Sequence, residues 1–131
     1  EVKREGSDIT VLAYGLMLHY ALEAAEELEK ESVSVEVVDL RTLLPLDKET
    51  VLASVRKTSK ALIVYEDNLT LGYGAELAAI LASEAFEDLD GPVMRVAAPD
   101  IPSMPFHPAM ENYLLPSPAR IAEALRKLAA Y

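Results

Sequence analysis

His19 and His107 are the only histidines of the chain, and cysteine is absent, so thiol chemistry is excluded and metal chemistry has few soft donors to draw on. His19 follows Leu18 on a helical pattern and reads as a packed or surface side chain. His107 lies four residues after Ser103, but no strand–turn–helix elbow surrounds that serine, so a hydrolase nucleophile is not indicated. The segment Leu71-Gly-Tyr-Gly-Ala-Glu76 sets two glycines at a helix start, where backbone amides can cradle a phosphate. A dinucleotide fingerprint requires a third glycine where Leu77 stands, and no P-loop lysine follows. Two carboxylates, Glu66 and Asp67, close an apolar strand at the end where α/β sheets take ligands. A carboxylate there is a candidate general base. Sequence adjacency does not make two carboxylates converge, so one is expected to cap the loop and the other to face solvent or a neighbouring domain. Asp39 and Arg41 bracket another strand end, where the guanidinium could fork to a carboxylate across an interface. No catalytic, cofactor-binding or metal-ligating residue is assigned from these patterns.

The elements that would position such groups alternate between apolar runs and helical periodicity, the mark of α/β architecture. Ile9–Ala13, Val33–Leu40, Ala61–Tyr65 and Val93–Ala97 are short buried strands, rich in branched residues as suits parallel strands covered on both faces. Leu18, Leu22, Ala25 and Leu28 recur at helical spacing, with Glu23, Glu26, Glu27 and Glu29 on the solvated side. Asp47 is a helix cap for a segment running to about Lys57, with Val51, Leu52 and Val55 available to pack. The segment after Gly74 carries Leu77, Ile80, Leu81 and Ala85. Ser117-Pro118 combines a capping hydroxyl with proline at the first helical position, and Ile121, Leu125 and Leu128 form the buried stripe that follows. Right-handed crossovers join the parallel strands, giving one three-layer domain over residues 1–131.

Six of the eight prolines fall between Pro99 and Pro118. The segment Pro99–Pro116 reads as a long loop, and long loops in compact domains usually bind or contact something. Met104, Phe106, Met110 and Tyr113 in it are expected at a subunit interface, because a monomer would struggle to bury them there. The chain has 131 residues, 51% of them hydrophobic, long enough to bury a core without staples. Its 22 acids and 12 bases give a net charge of −10. Nucleic acid is an unsuitable partner for such a surface, and a basic protein a suitable one. No stretch approaches the length of a membrane span, and Glu1–Gly6 lacks the apolar region of a secretory signal.

The segment Asp39-Leu-Arg-Thr-Leu-Leu-Pro-Leu-Asp47, together with Ser54-Val-Arg-Lys-Thr58, Gly74-Ala-Glu76 and Arg95-Val-Ala-Ala-Pro-Asp100, resembles the beta subunit of thiamine-dependent 2-oxo acid dehydrogenases of the pyruvate and branched-chain type. The resemblance is to that subunit's C-terminal, transketolase-like domain. It implies a five-stranded, mostly parallel sheet with an antiparallel edge strand, for which Glu1–Arg4 is the candidate. It implies a parent enzyme that decarboxylates a 2-oxo acid on thiamine diphosphate and magnesium, then acylates a lipoyl group. The Gly-Asp-Gly motif for those cofactors is not in these residues, so none is expected to bind here and this piece alone is expected to lack activity. The implied partners are an alpha subunit, a second beta subunit and the basic subunit-binding domain of the acyltransferase. The last would meet Glu87, Asp88, Asp90 and Tyr131, the tyrosine on the expectation that it is the natural terminus. An ordinary solvated acidic turn would look the same. The implied compartment is the cytoplasm, or the mitochondrial matrix in a eukaryote. The alternatives are a freestanding interaction module of the same fold, or the corresponding domain of a 1-deoxyxylulose-phosphate synthase or transketolase.

Overall fold

A computed structural model describes all residues, Glu1–Tyr131. Branched residues favour the pleated strands, and capped amphipathic stretches form the helices between them. In chain order the elements are β1 (Val2–Arg4), β2 (Ile9–Ala13), α1 (Leu16–Glu29), β3 (Val35–Asp39), α2 (Lys48–Thr58), β4 (Ala61–Asn68), α3 (Tyr73–Glu84), β5 (Met94–Ala98), α4 (Pro108–Leu114) and α5 (Pro118–Ala129). A single 3-10 turn, Phe86–Asp88, follows α3. The five strands lie in the order β1-β3-β2-β4-β5. Only β1 is antiparallel, pairing with β3, and the other neighbours run parallel. The expected mixed sheet with an antiparallel edge strand is therefore the observed one.

Side chains alternate across β2, and the core divides accordingly. Ile9, Val11 and Ala13 face α1 and α5, in a cluster that includes Leu28, Ile121 and Leu125. Leu12 faces the other way, towards Val55 of α2 and Leu77 and Leu81 of α3. Each buried leucine contributes about 2 kcal/mol relative to exposure, so two such layers hold the sheet without cross-links. Local signals set the helix starts. Asp47 accepts the Thr50 amide at 3.1 Å, and Ser117 accepts that of Arg120 at 3.3 Å.

Two expectations need correction. The Pro99–Pro116 segment is not a structureless loop, because Pro108–Leu114 is helical. Pro108 occupies a first-turn position, where its missing N–H costs nothing, and His107 Nδ1 accepts the Ala109 amide at 3.3 Å. The second concerns β4, which runs on to Asn68 rather than ending at Tyr65. Its register with β5 slips between Val64 and Asn68, so Glu66 and Asp67 lie on an irregularity of the strand.

Candidate functional site

The parallel strands define two ends of the sheet. At the carboxyl ends, β2 and β4 are neighbours whose connections depart in opposite directions, the place where open α/β sheets receive ligands. Here tyrosines occupy it. The Tyr14 and Tyr73 rings meet edge to face at 6.4 Å and 81°, and the Tyr73 hydroxyl donates to Leu43 O at 2.6 Å. Burial, then the nearby Asp67, pushes the Tyr14 hydroxyl up to about 12. Asp67 accepts its neighbour's amide, Asn68 N, at 2.7 Å, while Glu66 is exposed. The two carboxylates do not converge.

The glycines of the Gly72–Gly74 turn serve packing. A Cβ on Gly74 would lie 1.9 Å from Cε1 of Tyr65, and one on Gly72 would lie 2.2 Å from Asn68 O. Tyr65 is fully buried, its ring set against the first turn of α3. Close packing against Tyr65 and Asn68 thus accounts for both glycines without a ligand. Nor do any three His, Asp or Glu side chains cluster as metal ligands would.

Exposed apolar side chains gather instead beyond β5. The Pro99–Leu115 segment forms an arm fixed at both of its ends. Asp100 accepts the Thr70 amide at 2.9 Å and its hydroxyl at 2.6 Å. Arg120 of α5 donates to Leu115 O at 3.2 Å and to Leu114 O at 3.3 Å. Between these anchors Phe106 is wholly exposed, Tyr113 is 84% exposed and Met110 is 56% exposed, whereas Met104 is half-buried. The expected interface residues thus sit together on the arm, three of them presented to solvent. Leu44 and Leu71, on the loops after β3 and β4, are likewise exposed, and sequence reading did not single them out.

At the amino ends of the strands lies an acidic corner. Glu87, Asp88 and Asp90 are exposed on the connection from α3 to β5. Asp90 N donates to Ser59 O at 2.8 Å, which fixes the turn. Tyr131 lies alongside: a Cβ on Gly91 would meet its Cβ at 3.2 Å. The structure therefore places Tyr131 against Gly91, the residue that follows Asp90. Asp88 is already engaged with Arg56 at 3.1 Å. Phe86, 73% exposed within this corner, was missed in the sequence, because an aromatic after an apolar helix reads by default as core.

Asp39 and Arg41 are likewise paired internally. Arg41 donates to Glu1 at 2.8 Å, and Lys3 stands 3.9 Å from Asp39. Another missed residue is Glu36, 1% exposed on β3 and ringed by α2. It accepts from Ser54, from Lys57 at 2.5 Å and from the Gly6 amide at 3.3 Å. Thr10 bridges Ser54 Oγ and Thr58 Oγ1 at 2.9 and 2.8 Å. These contacts explain the Ser54–Thr58 motif as a latch between sheet and helix. Burial pushes the Glu36 carboxyl up, but hydrogen bonds from Lys57, Ser54 and Gly6 outweigh it and hold the group below the usual carboxylate range.

Comparison with known proteins matches residues 1–121 to the family of the transketolase C-terminal domain. The chain belongs to that family. It is 50% identical, over all 131 residues, to the 2-oxoisovalerate dehydrogenase subunit beta of Bacillus subtilis, of which it covers 40%. To the pyruvate dehydrogenase E1 component subunit beta of the same organism it is 46% identical over 128 residues, covering 39% of that protein. Among solved structures, a split-gene transketolase described as an inactive beta4 tetramer superposes with a TM-score of 0.86 at 30% identity, over 99% of this chain and 42% of the other. The chain thus spans about two-fifths of the length of the curated relatives it matches.

Proposed function

We propose that this chain is the assembly and partner-docking domain of the beta subunit of a 2-oxo acid dehydrogenase, one domain of a longer subunit. The parent enzyme would decarboxylate a 2-oxo acid on thiamine diphosphate and magnesium, both held outside these residues, and acylate a lipoyl group. The identity to dehydrogenase beta subunits, well above that to the split-gene transketolase, favours this reading over a sugar-phosphate enzyme. Within the structure, the observation that carries it is the anchored arm with Phe106, Met110 and Tyr113 turned outward. An alpha subunit and a second beta subunit are the partners for that surface. The acidic corner at Asp90 and Tyr131 suits the basic subunit-binding domain of the acyltransferase, whose charge it complements. Under this reading the complex works in the cytoplasm, or in the mitochondrial matrix of a eukaryote.

Assembly of the full-length beta subunit with its alpha subunit, followed by sedimentation, tests the arm. Taking one large apolar side chain out of water is worth about 2–3 kcal/mol, so Phe106→Ser should weaken association roughly 30- to 150-fold. Unchanged association removes the arm from the interface. Binding of the basic domain should fall with salt, and Asp90→Asn should weaken it at low salt. An affinity that Asp90→Asn leaves intact takes that residue out of the docking site.

A further inference from the structure

The loops at the carboxyl ends of β2, β3 and β4 turn leucines towards solvent. Leu44, after β3, is 93% exposed and Leu71, after β4, is 94% exposed, while Leu16, after β2, is exposed as well. They belong to one surface rather than three. The Tyr73 hydroxyl, two residues on from Leu71, donates to Leu43 O and ties the β3 and β4 loops together. The Tyr73 ring in turn meets that of Tyr14, two residues before Leu16. Glu66 and Asp67 border the surface, where burial first and then these charges push up the Tyr14 hydroxyl.

Leu71 is held at φ 63°, a left-handed backbone that a bulky side chain rarely adopts. A disfavoured conformation thus presents an apolar side chain to water, and contact with another surface would offset both costs. The amides of Leu43, Leu44, Leu71 and Gly72 find no acceptor within the chain. The first residue of the chain lies at this same end. Strand β1 runs antiparallel to β3, so it starts where β3 finishes. Glu1 N donates to Asp39 O at 3.0 Å, and Glu1 O accepts the Asp39 amide at 2.9 Å. Glu1 also shares a small cavity with Thr42 and Leu46, which flank Leu44. In a longer subunit, polypeptide leading into Glu1 arrives at the loop that carries Leu44.

We propose that this carboxyl-end surface is the seat of the domain that precedes Glu1 in the parent subunit, an apolar patch of which covers Leu16, Leu44 and Leu71. The inference rests on the reading above that this chain is one domain of a longer subunit. It adds a third surface, separate from the arm and the acidic corner, and gives it to the same polypeptide rather than to a partner chain. The chain covers 40% of the 2-oxoisovalerate dehydrogenase subunit beta and belongs to a family of C-terminal domains, so the remaining length lies before it. A domain tethered at Glu1 meets the adjoining apolar surface at high effective concentration, an advantage that no separate chain has. A basic side chain at the edge of its patch would face Glu66 and Asp67.

Amide exchange in the full-length beta subunit, purified without its alpha subunit, tests this against the 131-residue chain. The amides of Leu43, Leu44, Leu71 and Gly72 should exchange at least about tenfold slower in the subunit, at every dilution. Leu44→Asp combined with Leu71→Asp should not lower the Tm of the 131-residue chain. In the subunit the same pair should lower Tm and restore fast exchange at Leu43 and Gly72. Equal exchange in the two proteins overturns the proposal. So does slowing that appears only as the subunit is concentrated, because the occupant is then a second copy, or only once the alpha subunit is added. A lower Tm in the 131-residue chain would make the leucines part of its own packing and overturn it too. An assembled enzyme in which these four amides stay fast refutes this seat and leaves the docking role standing.

Discussion

Replacing Gly74 with alanine separates a packing role for the Gly72–Gly74 turn from a ligand-cradling one. The added Cβ would stand 1.9 Å from Tyr65 Cε1 and 2.5 Å from both Cδ1 and Cζ. Neither ring nor helix can retreat freely. Tyr65 is wholly enclosed, and Arg95 donates to its hydroxyl at 3.1 Å. Overpacking of a tight core costs about 1–3 kcal/mol, and an overlap exceeding an ångström belongs at the top of that range. Against this, glycine to alanine in a helix recovers at most about 1 kcal/mol, and less in a first turn. The net loss is therefore about 2 kcal/mol, and Tm should fall by roughly 6–10 °C for a chain of this size. Gly15→Ala is the internal control. It stands at φ 60° and ψ −139°, where glycine alone sits comfortably, with nothing within 4 Å, so only backbone strain of about 1–3 kcal/mol applies and no ring is displaced. Thermal unfolding of both variants, with near-ultraviolet circular dichroism to follow the tyrosines, reads the difference. A Gly74→Ala protein as stable as the parent, with an unchanged tyrosine signal, would refute the reasoning.

Glu36 gives a pH signature. Its carboxyl is held below the usual carboxylate range by Lys57, Ser54 and the Gly6 amide, so its contribution is present above the unfolded pKa and lost as pH falls through the folded one. Glu36→Gln should be less stable at neutral pH by about 1–3 kcal/mol, with a flatter decline in acid, as urea titrations across that range would show. A parallel decline for both proteins would assign the acid sensitivity elsewhere. Arg120→Ala removes one anchor of the arm, and amide exchange in residues 108–115 should accelerate while β2 and β4 keep their protection. Equal exchange in that segment would mean that the carbonyl contacts of Arg120 do not hold it.

What the sequence disclosed was what neighbours along the chain decide. The Asp47 and Ser117 caps each satisfy an amide three residues on, so both helices could be placed from a few letters. The Ile9–Ala13 strand and the solvated glutamates of α1 followed from periodicity alone. Helix α4 was hidden because prolines on both sides suggested an unbroken loop, and its start depends on the His107 ring. The run of β4 past Tyr65 was hidden because two acids there resemble a strand end, whereas the partner that extends it, Ala98, lies thirty residues on from Asn68. Glu36 looked like one polar residue in an apolar strand. Its burial becomes intelligible only when Ser54 and Lys57 arrive from α2. Of the candidate surfaces, composition identified the members, and the fold supplied the grouping that no spacing reveals.

The arm springs from the carboxyl end of β5 and the acidic corner from its amino end, about five residues or roughly 17 Å apart. Partners held at both places would pull along the strands rather than across them. Such a load runs through the covalent backbone of β5 itself, so it does not set β5 sliding against β4. Tension between partners at the two places would then be borne along the strand, the strongest axis of the domain.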